Sequence, residues 1–324
     1  MWSRYSGTLT VMIEDLVRRI EAGEDDLIDQ VADIAAADPG RVAPYLLRLL
    51  DADARWRAEV LYRGGDEEFQ QELIRRIDSG ETDFPARLVF LLTQMRGPVV
   101  TAAFIRWRDS PPPGIDPYER GVDALARDGG WELEEHGVRE LCGSSAFQLV
   151  PEPGATPAVE TCPWCGSSLW AALDVDTADA AVEQALTHTG WKGRLRISVC
   201  HLCTCYDTIY VTVTSDGGSA WSPHTVRPSY LQVGQPEPPP ENRMVLGARR
   251  ATDAMAGAWD SGGSTLGGRG DWIQDPTYPT CPGCRRAMDY VGLVNGADLW
   301  DGEGAYYLYV HAPCGLAAVH YQQS

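Results

Sequence analysis

Eight residues of this chain have the side chains and the spacing to hold metal. Cys162-Pro163-Trp164-Cys165 is answered by Cys200-His201-Leu202-Cys203, and Cys281-Pro282-Gly283-Cys284 by His311-Ala312-Pro313-Cys314. Thiolate and imidazole are ligands that zinc accepts in a four-coordinate tetrahedron. A gap of two residues lets both side chains of one tight turn face the same ion, and two such turns complete a shell. The expected sites are Cys162, Cys165, Cys200 and Cys203 for one Zn2+, and Cys281, Cys284, His311 and Cys314 for a second. Cys205 lies two residues beyond Cys203 and could replace it. His201, between two ligands, is expected to be exposed rather than bound. Cys142 has no partner at ligand spacing and reads as a buried free thiol. Four protein ligands leave no open position for water or substrate, so both ions would be structural.

Other chemistry is sparse. His188, His224 and His320 are scattered without a nucleophile motif, and no catalytic or cofactor-binding residue is assigned. The glycine-rich run 262–270 lacks a following Gly-Lys-Ser/Thr and reads as a turn-rich loop, not a phosphate cradle. Trp164, Trp170, Trp221, Trp272 and Trp300 read as packing for small sheets.

The elements that must position the ligands follow from periodicity. Leu195, Ile197 and Val199 alternate with polar residues and lead into Cys200; Ile209, Val211 and Val213 alternate on the way out. The second Cys pair is therefore expected at the tip of a β-hairpin. Leu169 to Val175 reads as a strand and Thr177 to Leu186 as a short helix. The same order recurs around Cys281: Leu293 to Asp298 matches Leu173 to Asp179, Tyr306, Leu308 and Val310 match the incoming strand, and Ala317, Val319 and Tyr321 the outgoing one. The spacing predicts an internal duplication with loop variation, His311 standing in the slot of Cys200. Asn242 to Trp259 reads as Ala-rich and moderately helical.

Before these lie short helical stretches. Apolar stripes at helical spacing, broken at Gly23, Asp38-Pro39-Gly40, Gly64-Gly65, Gly80, Gly97-Pro98 and Ser110 to Gly114, predict helices of ~10–15 residues. Residues 38–50 are similar to one HEAT-type helix pair. The fold class is α+β: an all-α, helical-repeat-like domain followed by a β-rich, duplicated zinc-ribbon-like domain. The expected divisions are 1–129 for the helical array, 130–158 for a connector, 159–235 for the first zinc-ribbon-like half and 236–324 for the second. Pro151 to Pro157 is the expected boundary.

Charge limits the partners. The net charge is −19, shared by both sides of residue 150, and Lys192 is the only lysine. Such a surface opposes docking on a phosphate backbone. No apolar run reaches the ~20 residues that span a bilayer, and the N-terminus lacks a signal-peptide core. These features predict a cytoplasmic protein without membrane contact, where paired Cys-x-x-Cys spacings favour metal over disulfides.

From Leu266 onward the chain resembles a bacterial family of unknown function typified by YwqG. The resemblance rests on Gly267-Gly268, Asp271-Trp272-Ile273-Gln274, Pro279 to Cys284 and Tyr306 to Gly315. His311 takes the first place of a closing pair that is usually Cys-x-x-Cys in that family. The resemblance implies an α/β protein without established activity, and some members sit near polymorphic toxin systems. The leading expectation is a non-enzymatic, zinc-stabilised protein-binding module, such as an immunity protein that neutralises a basic toxin. The alternatives are a zinc-ribbon nucleic-acid binder and an enzyme with its site in a cleft between the two halves.

Overall fold

A computed structural model describes residues 3–52, 59–116, 118–135, 137–154, 160–232, 235–251, 258, 261–300 and 302–324. The molecule mixes helix and sheet and forms two compact units: Met1–Gly129 with Leu133–Arg139, and Gly130–Glu132 with Glu140–Ser324.

The first unit is helical. Its elements are α1 (Ser3–Glu21), α2 (Ile28–Ala37), α3 (Pro39–Val42), α4 (Leu46–Asp51), α5 (Glu59–Tyr62), α6 (Glu67–Ser79), α7 (Pro85–Met95), α8 (Pro98–Asp109) and α9 (Val122–Asp128). Residues 53–58, which include the start of a helical segment expected from Arg55 to Tyr62, lie outside the described residues. Ile13, Val17 and Ile20 make one buried stripe on α1 at i, i+4 and i+7. The ends of α6 follow local rules: the Asp66 carboxylate accepts from the Phe69 N–H at 2.9 Å, and Gly80 takes the left-handed conformation that ends the helix. Three prolines stand at or next to the first helical position of α3, α7 and α8, where the missing N–H costs nothing.

In chain order the strands are β1 (Trp131–Glu134), β2 (Gly137–Glu140), β3 (Ala146–Pro153), β4 (Trp170–Asp176), β5 (Arg194–Val199), β6 (Ile209–Val213), β7 (Ser219–Trp221), β8 (Asn242–Arg249), β9 (Thr265–Gly267), β10 (Asp289–Asn295), β11 (Ala305–His311) and β12 (Leu316–Gln322). Helix α10 (Ala180–Leu186) joins β4 to β5, and α11 (Gly296–Trp300) joins β10 to β11. Among the described residues, eight strands form one sheet in the order β7-β6-β12-β11-β10-β9-β3-β8, while β4 and β5 form a separate two-stranded ribbon. The β4–β5 ribbon lies with β4 alongside β8 and β5 alongside β6 and β7. It thus bridges the two ends of the sheet around one apolar core, to which β3, β4, β5, β6, β10, β11 and β12 all contribute. Along β11, Tyr306, Leu308 and Val310 face this core. Ala305, Tyr307 and Tyr309 face a second cluster on the other side, against which Trp272 and Tyr278 pack. Burial on both faces explains why β10 and β11 contain no exposed residue.

Three expectations change here. Residues 130–158, expected as a connector, contain β1 to β3, and β3 lies inside the large sheet with Pro151 and Pro153 opposite the edge strand β8. Residues 155–159 of the proline-rich boundary lie outside the described residues. Asn242 to Arg249, expected to be helical, is strand β8. Met244-Val245-Leu246 has no period of its own, and pairing with β3 decides the conformation. Residues 252–257 and 259–260 of that stretch lie outside the described residues. Finally, β5 and β6 do not pair, so Cys200 and Cys203 do not cap a hairpin. At the other site β11 and β12 do pair, in register down to His311 opposite Leu316.

Among the described residues, no helix is long and apolar enough to cross a membrane.

Candidate metal centres

Each ligand turn is built by backbone hydrogen bonds that the two sites share. In the first, the Cys162 N–H donates to the Ser167 carbonyl at 2.8 Å and the Gly166 N–H to the Cys162 carbonyl at 2.8 Å. In the second, the Cys281 N–H donates to the Arg286 carbonyl at 2.7 Å and the Arg285 N–H to the Cys281 carbonyl at 2.8 Å. A bridge closes each turn, Thr161 with Ser168 and Thr280 with Ala287. The turn requires a left-handed residue after the second ligand. Gly166 supplies it at φ +77, and Arg285 adopts it at φ +69 despite its side chain, a conformation that costs a non-glycine residue roughly 1 kcal/mol.

The strands behind the turns also match. β4 pairs with β5 through Trp170–Val199, Ala171–Ser198 and Leu173–Ile197, with a register shift between Ala171 and Leu173. β10 pairs with β11 through Asp289–Val310, Tyr290–Tyr309 and Gly292–Leu308, with the shift between Tyr290 and Gly292. Each strand then ends in the same side-chain turn. The Asp176 carboxylate accepts from the Ala178 N–H at 2.9 Å, and the Asn295 carbonyl oxygen from the Ala297 N–H at 2.7 Å.

These supports converge the eight predicted residues into two tetrads: Cys162, Cys165, Cys200 and Cys203, and Cys281, Cys284, His311 and Cys314. Within each, all ligand atoms lie within 4.8 Å of one another. The Sγ atoms of Cys162 and Cys203 are 3.7 Å apart, and those of Cys165 and Cys200 are 3.5 Å apart. Zinc–sulfur bonds of ~2.3 Å in a regular tetrahedron place sulfurs ~3.8 Å apart, whereas a disulfide needs ~2.05 Å. The spacing fits a shared ion. Cys284 Sγ lies 3.5 Å from His311 Nε2, the nearer of the two ring nitrogens. The N–H groups of Trp164 and Cys203 point at the sulfurs of Cys162 and Cys200, each at 3.4 Å, and so support thiolate ligands. In the first site the thiols of Cys200 and Cys203, with backbone N–H groups, hold the Cys162 sulfur well below the usual thiol range. At Cys284 burial works against the thiolate. The Arg286 N–H and the thiols of Cys281 and Cys314 outweigh it, and the pKa falls.

Cys205 stays outside the cluster. Its thiol donates to the His201 carbonyl at 3.5 Å, while Cys203 faces Cys162. His201 is buried, not exposed, with its ring edge-on to Trp300 at 5.9 Å, because the Tyr306 hydroxyl also binds its carbonyl and draws the turn inward. Cys142 is a buried free thiol 2.8 Å from the Tyr278 hydroxyl. His188 and His320 make hydrogen bonds within the fold, to the Tyr290 carbonyl and the Thr208 hydroxyl.

No family model matches this chain, and no solved structure matches it. One curated relative does. The uncharacterized protein YpfL of Salmonella typhimurium strain LT2 is 32% identical over 247 residues, covering 70% of this chain. The chain spans 56% of the length of YpfL.

One buried carboxylate escaped the sequence reading. Asp298 accepts from the Gly262 N–H at 2.6 Å and the Ser264 N–H at 3.0 Å. The glycine-rich run thus cradles an anion of the chain itself. The signal was its place beside Ala297, matching Ala178-Asp179.

The two tetrads differ in exposure. Cys162, Cys200 and Cys203 are buried, whereas Cys284 and Cys314 are exposed. A chelator challenge of zinc-loaded protein is expected to release metal in two phases, the faster from the Cys281 site. Zinc-loaded Cys281→Ser protein should lack the fast phase in a chromogenic assay. Loss of the slow phase instead would reverse the order.

Proposed function

We propose that this chain is a zinc-stabilised, non-enzymatic binding protein, its two tetrads serving as scaffold. The observation that carries the reading is the ligand count: each cluster supplies four protein ligands, so a bound zinc keeps no position for substrate. The matching turns, registers and strand-end side chains support a duplicated zinc-ribbon-like unit, with His311 in the slot of Cys200. One further register supports it. The outgoing strands β6 and β12 pair antiparallel with Tyr210 opposite Ala318, its counterpart in the other copy. A local two-fold axis at this pair is what a duplication would leave. The likeness from Leu266 onward to the YwqG-like family enters at the same level.

On this reading the chain works in the cytoplasm, where thiols stay reduced, and its partner is a protein, approached by the helical unit as a HEAT-like array. The net charge of −19 favours a basic one, such as a toxin whose positive active site an acidic inhibitor covers. Affinity capture with the zinc-loaded protein should retain a basic protein encoded beside it and suppress that protein's activity. Retention of nucleic acid in a salt-sensitive manner, without any such protein, would sink the proposal.

A further inference from the structure

A cavity of about 650 Å³ opens where β4 passes β8. The volume falls within the range of small-molecule sites, ~300–1,000 Å³. Beside it the two copies differ by one side chain. At the matching place on β10, Gly292 lets β9 close up: a Cβ there would stand 2.4 Å from the Thr265 carbonyl oxygen. On β4 that place belongs to Leu173, whose side chain is wholly buried. β8 runs beside β4 without joining it in a ladder. The gap is too narrow for an added strand. β4 and β8 approach within 8 Å at Cα, less than two strand spacings of ~4.8 Å. A peptide laid between them is excluded where they approach, and a compact molecule fits.

The walls say what kind. Val245 and Leu246 line it with apolar surface, over Val175, Val182 and Met244, which are buried in the core. Most of the charges are already matched. Arg194 donates through Nε and Nη2 to both oxygens of Asp174, at 2.6 and 2.7 Å, and Arg243 donates to Glu152 at 2.8 Å. Asp176 and Asp179 accept from N–H groups of their own turns. The exception is Arg196, whose buried Nε has no hydrogen-bond partner. Its cross-strand neighbour is Asp174, already taken by Arg194. One guanidinium facing a cavity with an apolar floor calls for one planar anion, and a carboxylate matches its fork. A phosphate dianion would meet Asp174, Asp176 and Asp179 at the same wall.

We propose that this seam is a binding site for a small amphiphilic carboxylate, with its anionic end on Arg196 and its apolar body on Val245 and Leu246. The site is independent of the tetrads and of the binding role above. The test is calorimetric titration of octanoate into the zinc-loaded full chain, with octanol, octylamine and octyl phosphate alongside. Octanoate is expected to bind at least tenfold tighter than the other three. Arg196→Gln, on the outer face of the ribbon, should weaken octanoate about tenfold and leave octanol unchanged. Ala171→Trp should block octanoate, with zinc content and far-UV spectrum intact. Tighter binding of octyl phosphate, equal binding by Arg196→Gln, or no octanoate binding at millimolar concentration to the folded, zinc-loaded protein would each overturn the proposal.

Discussion

Protein carrying Cys200→Ser is expected to hold one zinc per chain, not two, and to lose the cooperative unfolding of its β-rich unit. Cys200 is completely buried and follows directly on β5, whose Leu195, Ile197 and Val199 all sit in the main core. Three remaining thiols bind zinc more weakly, and the loss falls on folding itself. Structural zinc is worth ~10–16 kcal/mol in small domains, as much as the whole stability of a typical domain, ~5–15 kcal/mol. The ribbon carries a further risk. β5 has no ladder with β6, so the first tetrad does work that hairpin hydrogen bonds do at the second. Metal analysis with circular dichroism checks this, and Cys205→Ser is the control, expected to keep both ions. Two ions retained in Cys200→Ser would remove this residue from the site.

Gly292→Leu is expected to destabilise the same unit by about 3 kcal/mol or more, the upper end for inserting bulk into a packed core. The new side chain would collide with the Thr265 carbonyl at the β9–β10 contact and force apart two strands that hold β3 to the rest of the sheet. The denaturation midpoint should fall while zinc content stays at two per chain, since the ligand turns are elsewhere. An unchanged midpoint would show that β9 tolerates separation.

What the sequence revealed and what it hid divide along physical lines. The eight candidate ligands were legible because such a turn is local: its covalent spacing and a left-handed residue specify it. Strands β4, β5, β6 and β11 were legible by alternation, and the longer helices by their stripes and glycine stops. Three features were hidden because they depend on distant partners. Residues 242–249 become a strand only by pairing with β3. The second ligand pair of the first site, Cys200 and Cys203, looked like a hairpin tip because β5 and β6 each alternate. Yet β6 takes β7 and β12 as neighbours, leaving β5 to β4. His201 is buried by Tyr306, a contact across 105 residues that no local pattern carries. Cys203, the thiol expected from spacing, is the one that the short 3-10 turn presents to Cys162, and Cys205 is not.

The imidazole of His311 has an electrical consequence. A zinc ion held by four thiolates leaves the first site with two excess negative charges, while three thiolates and a neutral ring leave the second with one. Filling both sites therefore makes an already acidic chain more so, by three charges relative to its free thiols. The turn of the second site also carries Arg285 and Arg286, of which Arg286 acts electrostatically on Cys284, whereas the first has no Arg or Lys within its own turns. Loaded, half-loaded and empty molecules thus differ in net charge as well as in metal, and anion exchange under native conditions can separate them.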